Sequence, residues 1–275
     1  MHASVIFTTY NQPEWLEKVL WGFSVQTYRD FEIVVADDGS NDETRKLIER
    51  LSREIDIPIV HVWQEDEGFG KCQILNKAIV VSRGDYLIFT DGDCIPHPRF
   101  VENHVDLAEK GRFLSGGYFK LPMELSKKIT QEDIVSGNAT RPGWLLRHGL
   151  SFTPKIAKLI SNRKLGAVLD FLTITRPTWN GHSASTWREY ILETNGFDER
   201  MQYGGQDREF GERLENMGIR GKQVRYRCSC VHLDHKRGYA SKESIDKNRA
   251  IRKTTRRNKV KRTDHGIEKG PSAEG

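Results

Sequence analysis

The sequence contains no uninterrupted run of about 18 apolar residues; its longest apolar stretches, such as Tyr86–Phe89, are the size of a strand. A membrane-spanning helix is excluded on that ground. The chain enters directly at Ser4–Thr8 with no basic region followed by a long apolar one, so no signal peptide is expected. Cysteine is scarce: Cys72, Cys94, Cys228 and Cys230 form no C-x-x-C pair, which argues against a disulfide framework and for free thiols in a reducing cytosol. Two nucleotide signatures are also missing. There is no G-x-x-x-x-G-K-S/T loop and no G-x-G-x-x-G after the first strand, so P-loop and dinucleotide-binding sites are disfavoured. Any diphosphate bound here must be neutralised by a metal or by Lys/Arg.

The 275 residues are 37% hydrophobic and 29% charged, an ordinary globular composition sufficient for a self-supporting core. The net charge of +5 is unevenly spread. Lys236–Arg262 carries twelve Lys/Arg against two acids, whereas residues 1–235 sum to −3. The basicity therefore lies in a polar tail over 236–275. Contact with anionic lipid head groups and a solvated, partly helical extension are both open readings of it.

The first 115 residues alternate strand and helix. Strands are expected at Ser4–Thr9, Phe31–Ala36, Pro58–Val62 and Tyr86–Thr90, with helices from Pro13, over Asp42–Arg53 and over Lys71–Ser82. Such alternation with short links means an α/β fold with a mostly parallel sheet, whose ligands lie beyond the strands' carboxyl ends. Residues 119–178 break the rhythm, with helical segments at Gly143–Leu146 and Ile156–Leu172, and read as a helical insertion. Helices near Trp187–Glu193 and over Asp207–Met217 follow, and then a closing strand, Lys222–Cys228. The expected division is thus one domain over 1–235, made of a nucleotide-binding half (1–118), the insertion (119–178) and an acceptor half (179–235).

Four local features carry chemistry. Asp91-Gly92-Asp93 ends a strand, where two carboxylates flanking a glycine suit a divalent cation, although the same tripeptide is a common turn. Asp37-Asp38 ends another; a carboxylate there accepts hydrogen bonds from a base or ribose, or caps the following helix. Asp207 follows Gly204-Gly205-Gln206 at a helix start. The helix dipole favours its ionised form, which fits either a general base or a simple cap. His232 and His235 follow the last strand as metal ligands or structural imidazoles.

These pieces, in this order, resemble family 2 glycosyltransferases of the GT-A fold. Val5–Asn11, Val34–Asn41 and Tyr86–Asp93 match the nucleotide-binding half, and Gln64–Ile79 is similar to a subgroup making bacterial surface polysaccharides. Gly181–Arg188, Asn195–Asp198 and Gly204–Asp207 resemble a carboxyl-terminal region shared with galactosyltransferases. The resemblance implies a cytoplasmic, inverting enzyme. It would move a sugar from a nucleotide-diphosphate sugar, a UDP-sugar, to a hydroxyl of a glycan or lipid-linked acceptor. Peripheral contact with the inner face of the cell membrane through the tail fits that picture, and no nucleic-acid partner is expected. By position, Thr8 and Tyr10 flank the base, Asp38 hydrogen-bonds it with Asp37 close by, and Asp91 faces the ribose and metal. Asp93 and His232 ligate Mn²⁺ or Mg²⁺, with His235 in reserve. Asp207 is the base, with Glu209 or His182 next in line. Gly205, Gln206, Trp179 and His182 contact acceptor or sugar.

Three positions depart from the pattern: Gln206 replaces an acid before the base, Gly70 stands where the subgroup often has Arg, and Ser183 stands in place of Asn. Two rival classes are a sugar nucleotidyltransferase, which wants a basic glycine-rich loop where Thr8–Asn11 stands, and an inactive nucleotide-sugar-binding module, motivated by Gln206.

Overall fold

The computed structural model describes residues 1–160, 162–235 and 241–269. Its first half is built from β1 (Ala3–Thr9), α1 (Pro13–Ser24), β2 (Phe31–Asp37), α2 (Asp42–Glu54), β3 (Ile59–Trp63), α3 (Lys71–Val81) and β4 (Tyr86–Asp91). Each strand is a β-branched or aromatic run, and each helix repeats its apolar residues at three and four. In α1, for example, Leu16, Val19, Leu20 and Phe23 are all buried. Asn41 caps α2, accepting from the Glu43 amide at 3.1 Å. The Asp37–Ser40 turn expected to cap it instead folds on itself, with Asp37 Oδ1 accepting from Ser40 N at 2.9 Å.

Next come β5 (Cys94–Pro96), α4 (Phe100–Asp106), β6 (Arg112–Ser115) and β7 (Gly117–Lys120), then the short helices α5 (Met123–Lys128), α6 (Gln131–Val135), α7 (Pro142–Arg147) and α8 (Arg163–Leu172). Because β7 runs through residues 118 and 119, the boundary drawn between them cuts a strand. The helix expected over Ile156–Leu172 is two pieces: a 3₁₀ stretch at Pro154–Leu159, and α8, started afresh by the Asn162 side chain capping Leu165 N at 3.0 Å. The chain finishes with β8 (Ala184–Trp187), α9 (Arg188–Glu193), α10 (Gln206–Asn216), β9 (Arg220–Gln223), β10 (Ser229–His232) and α11 (Lys242–Arg257). The single closing strand expected at Lys222–Cys228 is also divided. Arg227 N and Cys228 N both donate to Val224 O, and that turn passes the chain from one sheet to another.

Seven strands order as β3-β2-β1-β4-β8-β6-β9, with β1 to β4 mutually parallel and β8 antiparallel to its neighbours. Both faces are buried, so alternate residues feed two cores. Val5, Phe7, Ile33, Val35 and Ile88 pack with α1 and α2 residues on one side. Ile6, Val34, Ala36, Leu87 and Phe89 pack with α3 and α10 residues on the other. A second sheet, β5-β10-β7, lies beyond the end of β4.

The division at residue 235 does not hold either. Ser241 caps α11, which lies along α10. Thr255 Oγ1 donates to Glu209 at 2.8 Å, Asn248 Nδ2 donates to the Gln202 and Gly204 carbonyls, and Arg252 pairs with Glu212 at 2.6 Å. Beyond it, Asn195 Nδ2 donates to Thr263 O at 2.7 Å and Glu268 O at 2.8 Å. Residues 241–269 are therefore part of the domain. Their docking is largely polar, which is why a basic, apolar-poor composition reads as solvated. Tail residues 236–240 and 270–275 lie outside the described residues.

Candidate active site

At the carboxyl ends of β1, β2 and β4, where the strand order reverses direction around β1, a cleft of about 530 Å³ opens. Thr8, Tyr10, Asp38, Asp91, Asp93, His182, Gln206, Asp207, His232 and His235 all line it. Segments far apart in sequence thus converge on one space.

The Asp91-Gly92-Asp93 turn lies tight against β1. Gly92 N donates to Thr8 O at 3.0 Å, and a Cβ on Gly92 would sit 2.6 Å from that carbonyl, so only glycine allows the approach. Asp91 receives the Lys71 ammonium at 2.8 Å. Burial pushes the Asp91 carboxyl upward, but Lys71 overcomes this and holds it below its ordinary value. Lys71, half-buried itself, is kept above the usual lysine range by Asp91 and Asp207 against the pull of desolvation.

Asp93 Oδ2 lies 2.9 Å from His235 Nε2 and 3.6 Å from His232 Nε2. The antiparallel register of β10 on β5 sets His232 directly opposite Cys94, and the ligand atoms of Asp93, Cys94 and His232 lie within 4.8 Å of one another. His232 Nδ1 is 2.6 Å from the Leu233 carbonyl, which can only accept, so Nδ1 carries the proton. In the neutral ring Nε2 then presents a lone pair toward a carboxylate oxygen. Two acceptors facing each other, in a carboxylate–imidazole set, fit a divalent cation between them.

Asp207 sits in the first turn of α10, reached through Gly204 and Gly205 at φ +109° and +98°. Its Oδ1 is buried with no hydrogen-bond partner. Burial raises its carboxyl above the ordinary value, Lys71 opposes this, and Asp91 adds to it. A Cβ on Gly181 would lie 3.2 Å from Asp207 Oδ2 and 3.3 Å from Lys71 Nζ, so glycine there keeps the space over the carboxylate open. His182 lines the same wall, pushed down to about 4 by burial. Gln206 is buried and its Oε1 accepts from Gly204 N at 3.0 Å, bracing the loop before the helix. Asp38 is pushed up by burial, with Gln64 Nε2 at 2.6 Å and Gly70 N at 2.9 Å donating to its two oxygens. Tyr10 is half exposed, and its hydroxyl donates to Asp66 at 2.8 Å.

Three expected site residues lie elsewhere. Asp37 is fully buried behind the cleft, 2.9 Å from His61 Nε2 on the neighbouring strand, and works as a pivot of the turn. Trp179 is core, packed edge-on against Phe89 and Phe210 with ring centroids 5.4 and 4.8 Å away. Gly205 turns the chain into α10 against the Arg252 side chain and does not line the cleft. Glu209, held as a reserve base, is buried in a two-oxygen pair with Arg213 at 3.0 Å. Conversely, Lys71, Phe69, Tyr203 and Asp66 line the cleft without having been singled out. Asp66, Phe69 and Lys71 lie in the Gln64–Ile79 stretch that resembles the subgroup, whereas Tyr203 carried no signal.

The model of the family described as "Glycosyl transferase family 2" matches residues 4–253. The chain belongs to this family. Among relatives in the family, the uncharacterized glycosyltransferase YfnE of Bacillus subtilis is 28% identical over 90% of this chain and 69% of its own length. Glycosyltransferase AglE of Haloferax volcanii is 36% identical over 42% of this chain and 38% of its own. Among solved structures, the mannosyltransferase PcManGT of Pyrobaculum calidifontis, in complex with GDP-Man and Mn²⁺, superposes with a TM-score of 0.59 at 25% identity, covering 86% of this chain and 58% of that one. TarS of S. aureus in complex with UDP-GlcNAc gives 0.59 at 15% identity, covering 91% of this chain and 64% of that one, which shows the shared fold. The matched stretches cover only 38% of the length of AglE and 33% of that of the E. coli chondroitin synthase.

Proposed function

We propose that this family 2 glycosyltransferase moves a sugar from a UDP-sugar to a hydroxyl of a glycan or lipid-linked acceptor, with inversion, in surface-polysaccharide synthesis. One observation carries the reading: the unpartnered Asp207 carboxylate oxygen shares a cleft with the Asp91–Asp93 turn, Lys71 and His232. Thr8, Tyr10 and Asp38 line the end of the cleft assigned to the base and ribose. Asp93 and His232, with His235 beside them, would hold Mn²⁺ or Mg²⁺. Bound there, the cation would neutralise the diphosphate leaving group. Lys71 adds positive charge to the same wall. Asp207, its carboxyl raised above its ordinary value by burial, accepts the proton of the acceptor hydroxyl as that oxygen attacks the anomeric carbon opposite the leaving group. Gln206 and His182 border the space left for sugar and acceptor.

Support for a nucleotide-sugar donor comes from the PcManGT and TarS complexes, whose donors are GDP-Man and UDP-GlcNAc. The choice of uridine rests on the sequence resemblance. The decisive experiment follows free nucleotide release from a panel of UDP- and GDP-sugars, with Mn²⁺ or excess chelator, in wild type and Asp93→Ala. Turnover of a UDP-sugar that chelator and Asp93→Ala both abolish is expected. Full turnover in chelator, or tighter calorimetric binding of GDP than of UDP, overturns the respective part.

A further inference from the structure

The surface of the insertion carries an apolar face that the proposed reaction does not use. Helix α8 is docked on one side: Asp170 accepts from Arg227 Nε at 2.7 Å and from Tyr226 N at 2.9 Å. Gly166 lies on the same side, where a Cβ would meet Arg227 Cγ at 2.9 Å. At 100° per residue, Leu165, Val168, Phe171 and Leu172 fall on the opposite side. Phe171 is 87% exposed and Leu172 65%, and Ile174, just past the helix, is completely exposed. A soluble protein rarely leaves so many large apolar side chains contiguous and uncovered.

The charge around this face is net positive, with Arg163 paired to Asp106 at 2.8 Å and Arg176 to Glu215 at 2.6 Å from other elements. Residues 141–176 contain seven Lys/Arg against a single acid, Asp170, and that acid is buried against Arg227. Lys164 stands on the exposed side of the helix beside Phe171. A second copy of this chain packed face to face would oppose two positive rims, which argues against self-association as the occupant. An anionic surface with an apolar interior matches both properties.

We propose that α8 is an interfacial anchor that lies in the head-group region of an anionic lipid bilayer, with Val168, Phe171, Leu172 and Ile174 entering the acyl boundary and Lys164 meeting lipid phosphates. The attachment is separate from the basic stretch beyond residue 235 and stands whether or not the donor is a UDP-sugar. Among the described residues no helix is long and apolar enough to cross a membrane, so the contact is with the surface.

Flotation of the full chain with phosphatidylcholine vesicles, with and without phosphatidylglycerol, tests it. Wild type should float with the anionic vesicles and much less with the neutral ones. The double variant Phe171→Ser/Leu172→Ser should lose at least about tenfold in partitioning, the scale of one large apolar side chain. It should keep its melting temperature, since both side chains are exposed. Lys164→Glu should weaken flotation in a salt-sensitive way. The four native cysteines are buried, so a nitroxide on Val168→Cys reports this site alone; on adding anionic vesicles it should gain oxygen accessibility and lose accessibility to a water-soluble nickel complex. Absence of flotation overturns the proposal, as does wild-type partitioning by the double variant. Loss of flotation in Lys253→Glu/Arg257→Glu but not in the α8 variants would move the anchor to α11. A dimer in sedimentation that the double variant dissolves would make the face a protein interface.

Discussion

The Lys71 ammonium lies 2.8 Å from the Asp91 carboxylate, and it is also the principal charge lowering the pKa of Asp207. One cation thereby sets the charge of the proposed metal–ribose wall and of the proposed base. Removing it leaves two half-buried carboxylates that repel each other, each then shifted upward. In Lys71→Met the acid limb of the pH–rate profile should move to higher pH, and transfer at neutral pH should fall by roughly a hundredfold or more. A pH profile superposing on wild type would show that Lys71 only packs.

Asp207→Asn keeps the shape of the side chain but removes the proton-accepting carboxylate, and no cap is lost because α10 is capped at Gly205 without a side-chain bond. Transfer should drop by roughly a hundredfold or more, with calorimetric affinity for the nucleotide sugar nearly unchanged. Activity within a few fold of wild type would show that Asp207 is not the base. Glu209 could not then take over, because its carboxylate is committed to Arg213 and Thr255.

Truncation after Ala240 should be strongly destabilising. It removes the Thr255 donor to the buried Glu209, the Asn248 bonds to Gln202 and Gly204, and the apolar contacts of Ile251. Together these amount to roughly 3 kcal/mol or more, read as a lowered urea midpoint or loss of soluble protein. An unchanged urea midpoint would mean that α11 is an independent appendage.

Stability should fall with acid in a window set by buried histidines. Burial depresses His104 to about 3 from an ordinary value of 6.5, and burial depresses both His97 and His182 to about 4. Below 6.5 the unfolded chain takes up protons that the native chain refuses, so the contribution is complete above 6.5 and is lost progressively as pH falls toward the folded values. Melting temperatures from pH 7 down to pH 4 should decline. The decline should be shallower in His104→Gln, whose side chain does not titrate.

The strand ends were readable because β1, β2 and β4 are largely apolar runs, the first stopping at Tyr10-Asn11 and the other two at acidic turns. Which of two adjacent acids faces the cleft was not readable. Asp37 closes β2 toward His61, and Asp38 begins the loop toward Gly70; the difference arises from β3 pairing, which no local pattern encodes. Lys71 gave little local sign because its partners Asp91 and Asp207 come from other elements. Trp179 was placed at the site by the family resemblance, whereas the aromatic cluster that buries it is assembled from β4, β6 and α10. The composition of residues 241–269 points to solvent. Their docking uses individual side-chain hydrogen bonds, a kind of contact that hydropathy cannot register.

The register of the small sheet, with His232 paired to Cys94 and Val231 to Ile95, places the imidazole beside Asp93 by main-chain hydrogen bonds and not by a loop. The two groups are far apart in sequence, yet their separation is fixed once β10 zips onto β5. A ligand that bridges them acts as a rivet: each increment of its occupancy resists fraying of β10. The integrity of the last strand and the affinity of the cleft are therefore one equilibrium observed from two sides.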